Sequence, residues 1–231
     1  PTLPENALVL GVSVSGMVSR TIEALDLARQ AGAATVAITG NRRAGLVEAG
    51  DMLLYTAVPP LPDEFPDLVV PGARSYIASQ LALYLLAIQL GQARGHLSKP
   101  KANSLRRELA ATAGLMESTI AACDPPAREA ASSWQDEGAF IYCGSGPNYG
   151  TALFSAAKIL EASGDPAGAQ EIEEWAHLEY FAREPGTPTF LISAAGRDED
   201  RVLEVATAAR AIGRGLALIA PQDSGLAAAA E

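Results

Sequence analysis

Histidine and cysteine are scarce in this chain: only two of each stand among 231 residues. His96, His177, Cys123 and Cys143 lie too far apart to form a metal-ligand or disulfide pattern, so neither a metal nor another cofactor is expected. The cysteines fall in an Ala-rich helical stretch and a core-strand stretch, which suits reduced thiols and a cytoplasmic location. Basic residues are also in short supply. Seventeen Lys and Arg against 27 Asp and Glu give a formal charge of −10 and a pI near 4.7. Such a surface is repelled by nucleic acid and by anionic membranes, so neither is an expected partner, and an anionic ligand would need a local cradle. Long hydrophobic runs are missing too. The longest, residues 76–90, contains Gln80 and Gln89 and falls short of the roughly 18 residues of a membrane span. No basic-then-apolar leader opens the chain.

What is present is small and apolar. Hydrophobic residues make up 48% of the chain, enough for one large or two small domains with buried cores. The run 7–12, ALVLGV, reads as a buried parallel strand closed by Ser13-Val14-Ser15-Gly16. An amphipathic helix over 17–31 and a strand over 35–39 complete a βαβ unit, and 51–55 adds a short strand. The Pro-rich, acidic stretch 59–71 reads as a surface loop and candidate lid before a long apolar helix over 75–93. A more polar helix over 103–123 meets Asp124-Pro125-Pro126, the expected joint, and another helix follows over 127–135. Beyond it the spacing predicts a strand at 139–143, a Gly-rich turn and a helix through Glu161. Helices over 166–182 and 198–212, with strands at 189–194 and 215–219, complete the chain.

The stretch 139–161, AFIYCGSGPNYGTALFSAAKILE, is the centre of the functional reading. A glycine loop opening a helix offers bare amides to an anion. Lys158 and Glu161, three apart, project from one helical face.

Three groups of residues carry a resemblance. They are Gly11-Val12-Ser13-Val14-Ser15-Gly16 with 33–41, Leu46 and Ala49-Gly50-Asp51; Gly144-Ser145-Gly146-Pro147-Asn148-Tyr149; and Lys158-Ile159-Leu160-Glu161 followed by Glu173-Glu174-Trp175-Ala176-His177. Together they resemble the tandem sugar isomerase (SIS) family, as found in the isomerase domain of glucosamine-6-phosphate synthase and in fructosamine-6-phosphate deglycases. The resemblance implies an α/β fold of two three-layer αβα subdomains with parallel sheets. Residues 1–98 would form the first, 99–135 the connecting helices and 136–231 the second, with the family's first and last elements missing from the sequence given. It also implies a phosphorylated hexose or amino sugar as ligand and a homodimer or larger homo-oligomer as the assembly.

Carried over residue by residue, the family pattern makes Ser13, Ser15, Gly16, Val18, Gly144, Ser145, Gly146 and Asn148 phosphate- or sugar-binding; Arg20, in the first turn of the helix that follows, is the expected helper. Glu161 becomes the proton-transfer base, buried with a pKa near neutrality. His177 becomes the ring-opening group, and Lys158 the group that orients Glu161 or steadies an enediolate. Family members usually carry Thr where this chain has Val18, so one hydroxyl donor is lost. Plainer readings exist: Ser13 and Ser15 as turn residues, Lys158 and Glu161 as a solvated ion pair. Two functions stay open. One is an isomerase, deaminase or deglycase working through an enediol or enediolamine; the other is a non-catalytic phosphosugar-binding regulator.

Overall fold

The computed structural model describes residues 3–61, 71–182 and 186–226. The chain divides into two compact units, Pro1–Thr119 and Ile120–Glu231. Most of the candidate lid, 62–70, lies outside the described residues.

In the first unit, β1 (Leu8–Val12), β2 (Ala34–Thr39) and β3 (Met52–Tyr55) form a parallel sheet in the order β1-β2-β3. Between them run α1 (Ser19–Gln30) and the short α2 (Gly45–Ala49), which the sequence reading did not anticipate. One face of the sheet packs Ala37 against Leu25 of α1 and against Leu46 and Ala49 of α2. α3 (Ala73–Ala93) also lies against β2. Thr35 to Thr39 are all buried, as a strand covered on both faces requires. β1 is an edge strand among the described residues, and its Leu8 and Val12 are exposed.

The second unit holds β4 (Phe140–Gly144), β5 (Ala167–Gln170), β6 (Thr189–Ile192) and β7 (Leu216–Ile219), all parallel, in the order β5-β4-β6-β7. On one face α5 (Pro147–Ser163) sets Ala152 and Ala156 against Tyr142 and Ile192. On the other, α6 (Ile172–His177) and α7 (Glu199–Ala211) set Trp175, Val202 and Val205 against Cys143 and Leu191. Adjacent residues of a strand face opposite ways, so Tyr142 and Cys143 mark the two faces. This is the expected α/β architecture, with parallel sheets between helical layers.

Two local expectations give way. α4 (Lys99–Ser133) runs straight through Pro125 and Pro126, where a joint was expected, and the division between units falls inside it. Each proline removes one amide and leaves a carbonyl a turn earlier without its donor, but residues 113–129 are exposed, so water can satisfy those carbonyls. The expected helix over 166–182 is instead β5, then α6, then a 3-10 turn at Glu179–Phe181. Pro166 is already in the sheet, its carbonyl accepting from Phe140 N at 3.0 Å. Gly168 then lies so close to β4 that an added Cβ would sit 3.2 Å from Ile141 Cδ1. Among the described residues, no helix is long and apolar enough to cross a membrane.

Candidate functional site

The loop after β1 is a built cradle. Gly16 N donates to Ser13 Oγ at 3.1 Å, and Met17 N donates to Ser15 Oγ at 3.2 Å. Each serine thus acts as acceptor toward the loop's own amides, which leaves its hydroxyl proton uncommitted. Gly16 has φ +65°, and an added Cβ would lie 2.4 Å from Ala44 Cβ and 2.9 Å from Thr39 Oγ1. Only glycine fits there without strain. Val18 caps α1 with no side-chain hydrogen bond; Thr21 N turns back to Val18 O at 3.0 Å, which leaves the Ser19 and Arg20 amides at the helix start for an anion. Val18 is half exposed, where a hydroxyl would have been useful. Arg20, the expected helper, is engaged by Glu23 at 2.6 Å.

Residues that sequence reasoning missed hold this loop from behind. Thr39, fully buried, donates from Oγ1 to Val14 O at 3.1 Å and accepts from Asn41 N at 3.2 Å. Asn41 Nδ2 donates to Ser15 O at 3.3 Å, and Leu46 N to Gly16 O at 3.1 Å. The signal was a small-residue turn at the end of β2, beside the end of β1 in a parallel pair.

In the second unit, Gly144 ends β4 where a Cβ would lie 2.4 Å from Asn148 O, so only glycine allows α5 to start this close. Gly146 at φ 55° is the N-cap of α5 and Pro147 its first residue. Asn148 N donates to Ser145 O at 3.0 Å. The strand order adds a further feature: from β4 the chain steps to β5 on one side and then to β6 on the other. The loops after β4 and β6 therefore flank a topological switch point, the usual ligand crevice of open α/β sheets. Ser193, buried after β6, donates to Asp198 Oδ1 at 2.9 Å and accepts from Ala195 N at 3.0 Å. Sequence reasoning missed that arrangement, because β5 was not foreseen.

Of the three residues expected to do chemistry, Lys158 and Glu161 are brought together on α5, whereas His177 stands apart from them. Glu161 stands thirteen residues beyond Asn148 on α5, about 20 Å along the helix axis at the ordinary rise. It is exposed, not buried as expected, because it sits on the outward turn of α5, where Lys158 Nζ donates to Glu161 Oε2. The Lys158 ammonium also lies 5.1 Å from the centre of the Phe154 ring. His177 ends α6 on the opposite face of the sheet. Its Nε2 meets Glu173 Oε1 at 3.1 Å, while Glu173 Oε2 accepts from Arg201 Nε of α7 at 2.7 Å. Arg201 first, and His177 after it, hold the Glu173 carboxyl below the usual carboxylate range. Among the described residues, no cluster of His, Cys, Asp and Glu could hold a metal ion.

No family model matches the chain. It is 28% identical over 221 residues to the glutamine–fructose-6-phosphate aminotransferase (isomerizing) of Thermococcus kodakarensis, a match covering 96% of this chain. The chain spans only 35% of the length of that relative. The fold is also that of the C-terminal domain of glucosamine-fructose-6-phosphate aminotransferase from Francisella tularensis. There the TM-score is 0.85 at 18% identity, over 95% of this chain and 60% of that one. Glucosamine-6-phosphate deaminase of Thermotoga maritima gives a TM-score of 0.66 at 20% identity, over 95% of this chain and 62% of that one. Along nearly its whole length the chain is thus similar in sequence to part of the isomerizing aminotransferases, and its parallel sheets between helical layers share the fold of the sugar isomerase structures.

Proposed function

We propose that the chain binds a phosphorylated hexose or amino sugar and catalyses proton transfer on its open-chain form. The reaction would be an aldose–ketose isomerisation, or the deamination or deglycation of an amine-bearing sugar phosphate. The observation that carries the proposal is the 13–18 loop, where two serine hydroxyls with uncommitted protons and an uncapped helix start adjoin a glycine that has no room for a side chain. Phosphate suits such a cradle, because hydroxyls and amides donate and the helix dipole adds roughly 0.3–1 kcal/mol.

In the proposed chemistry, the sugar ring opens with His177 handling the proton on oxygen. Glu161 removes the C2 proton to give an enediol, or an enediolamine from an amino sugar, and returns the proton to C1. Lys158, already bound to the Glu161 carboxylate, orients it and can turn toward the developing oxyanion.

One observation favours a second reading. Glu161 is exposed and engaged by Lys158, and Val18 offers no hydroxyl, as would suit a regulator that binds a phosphosugar without turning it over. Exchange of the substrate C2 proton with solvent separates the two readings. Exchange in the unaltered chain that falls by roughly 10²–10⁴ in Glu161→Gln, with binding retained, supports the enzyme. Binding without exchange supports the regulator.

A further inference from the structure

We propose that Arg42 and Arg43 form the cationic arm of the 13–18 loop, with Arg43 as the free arm that meets the phosphate of a phosphate monoester. This rests on the reading of that loop as a phosphate cradle. The turn after β2 is bound to the loop at four points: Gly40 N and Thr39 Oγ1 to Val14 O at 3.2 and 3.1 Å, Asn41 Nδ2 to Ser15 O at 3.3 Å, and Leu46 N to Gly16 O at 3.1 Å. Arg42 and Arg43 sit in the middle of that turn. Asn41 fixes it from both sides, its Nδ2 on the loop and its Oδ1 accepting from Arg43 N at 3.0 Å.

Two adjacent arginines stand together on this turn. At a net charge of −10 carboxylates are plentiful, and Arg20, Arg29, Arg128 and Arg201 each have one at 2.8 Å or less. Among the described residues, neither Arg42 nor Arg43 has such a partner, and both are exposed. The Arg42 guanidinium rests on the Tyr55 ring at the end of β3, 3.9 Å from its centre, which steadies one member of the pair. Arg43 keeps all its side-chain donors. Two unpaired cations beside an anion cradle, in an acidic protein, supply the local attraction that the overall charge denies. They also replace with charge the hydroxyl missing at Val18. Guanidinium donors match a phosphate dianion better than a neutral sugar hydroxyl.

The test is calorimetric titration with glucose 6-phosphate and with inorganic phosphate. It compares the unaltered chain with Arg43→Gln, Arg43→Lys, Arg42→Gln, the pair Ser13→Ala with Ser15→Ala, and the charge-matched control Arg128→Gln. Arg43→Gln should weaken glucose 6-phosphate binding by about 10- to 100-fold, as loss of a hydrogen bond to a charged group does. Arg43→Lys should recover part of it, Arg42→Gln should cost less, and Arg128→Gln should cost nothing. Binding should also weaken as pH falls through the second phosphate ionisation near 6. Affinity that depends on the two serines yet stays within twofold in Arg43→Gln overturns the arginine assignment and leaves the cradle standing. No binding by the unaltered chain, or binding indifferent to both serines, removes the cradle and this proposal with it.

Discussion

A Cβ placed on Gly16 would lie 2.4 Å from the Cβ of Ala44, so the loop after β1 and the turn after β2 are in contact at a point where no side chain fits. The backbone there is left-handed as well, at φ +65°. Gly16→Ala therefore combines a strained conformation with a clash and should destabilise the first unit by about 2–4 kcal/mol. The same substitution at Gly32, Gly32→Ala, meets φ +87° but open space, and should cost only the conformational part. Denaturant melts of the two variants would check this, with Gly16→Ala clearly the worse. Equal losses would mean that the contact relaxes freely.

Acid should loosen the β2–β3 connection through Asp51. Its carboxylate accepts from Thr35 Oγ1 at 2.8 Å and from Thr35 N at 2.9 Å, and these bonds hold its pKa below the ordinary value. Because the folded pKa is the lower one, the stabilisation is present above the unfolded carboxyl value, about 3.9, and is lost as pH falls through the folded value. Asp51→Asn should then be less stable than the unaltered chain at pH 7, with the gap closing below about pH 4. A gap that is constant across that range would assign the loss to packing.

The two thiols should separate cleanly. Cys143 is fully buried, and burial first, then the nearby Glu179 carboxylate, push its thiol well above the usual cysteine range. Cys123 is exposed on α4. An aromatic disulfide reagent at pH 8 should titrate one thiol in the folded chain and two in denaturant, with the second appearing at the unfolding rate. Prompt reaction of both in the folded chain would mean that the β4 region opens locally.

How much of this was legible in the sequence depended on how each element is stabilised. β1, β2, β4 and β6 are continuous apolar runs and could be read directly, as could the loops of small residues that end β1 and β4. β5, with the sequence Ala-Gly-Ala-Gln, has neither alternation nor bulk, and only its pairing with β4 makes it a strand. Losing β5 hid the switch point between β4 and β6. The work of Thr39, Asn41 and Ala44 was equally invisible, because it consists of contacts to a loop some 25 residues away in sequence. Glu161 and His177 came from resemblance in their order along the chain, and periodicity alone would have left them as solvated helical residues.

The placement of those two residues leads to the last prediction. Glu161 belongs to α5, which packs on the Tyr142 face of the second sheet, whereas His177 ends α6, which packs on the Cys143 face. A sheet therefore lies between them in one copy of the unit, and one hexose phosphate cannot touch both. If both act on a single sugar, the histidine must come from another copy of the chain, which makes a homodimer or larger assembly a requirement of the mechanism. Glu173, held by Arg201, would then present His177 outward from its own copy toward the neighbour. Glu161→Gln and His177→Ala, each inactive alone, should regain activity when mixed under conditions of subunit exchange. A fully exchanged two-site dimer would form half hybrids, each with one intact site, so about a quarter of the unaltered activity is expected. Light scattering and exchange of labelled subunits check that mixing has occurred. A monomer, or proven exchange with no recovery, would show that the two residues do not serve one site.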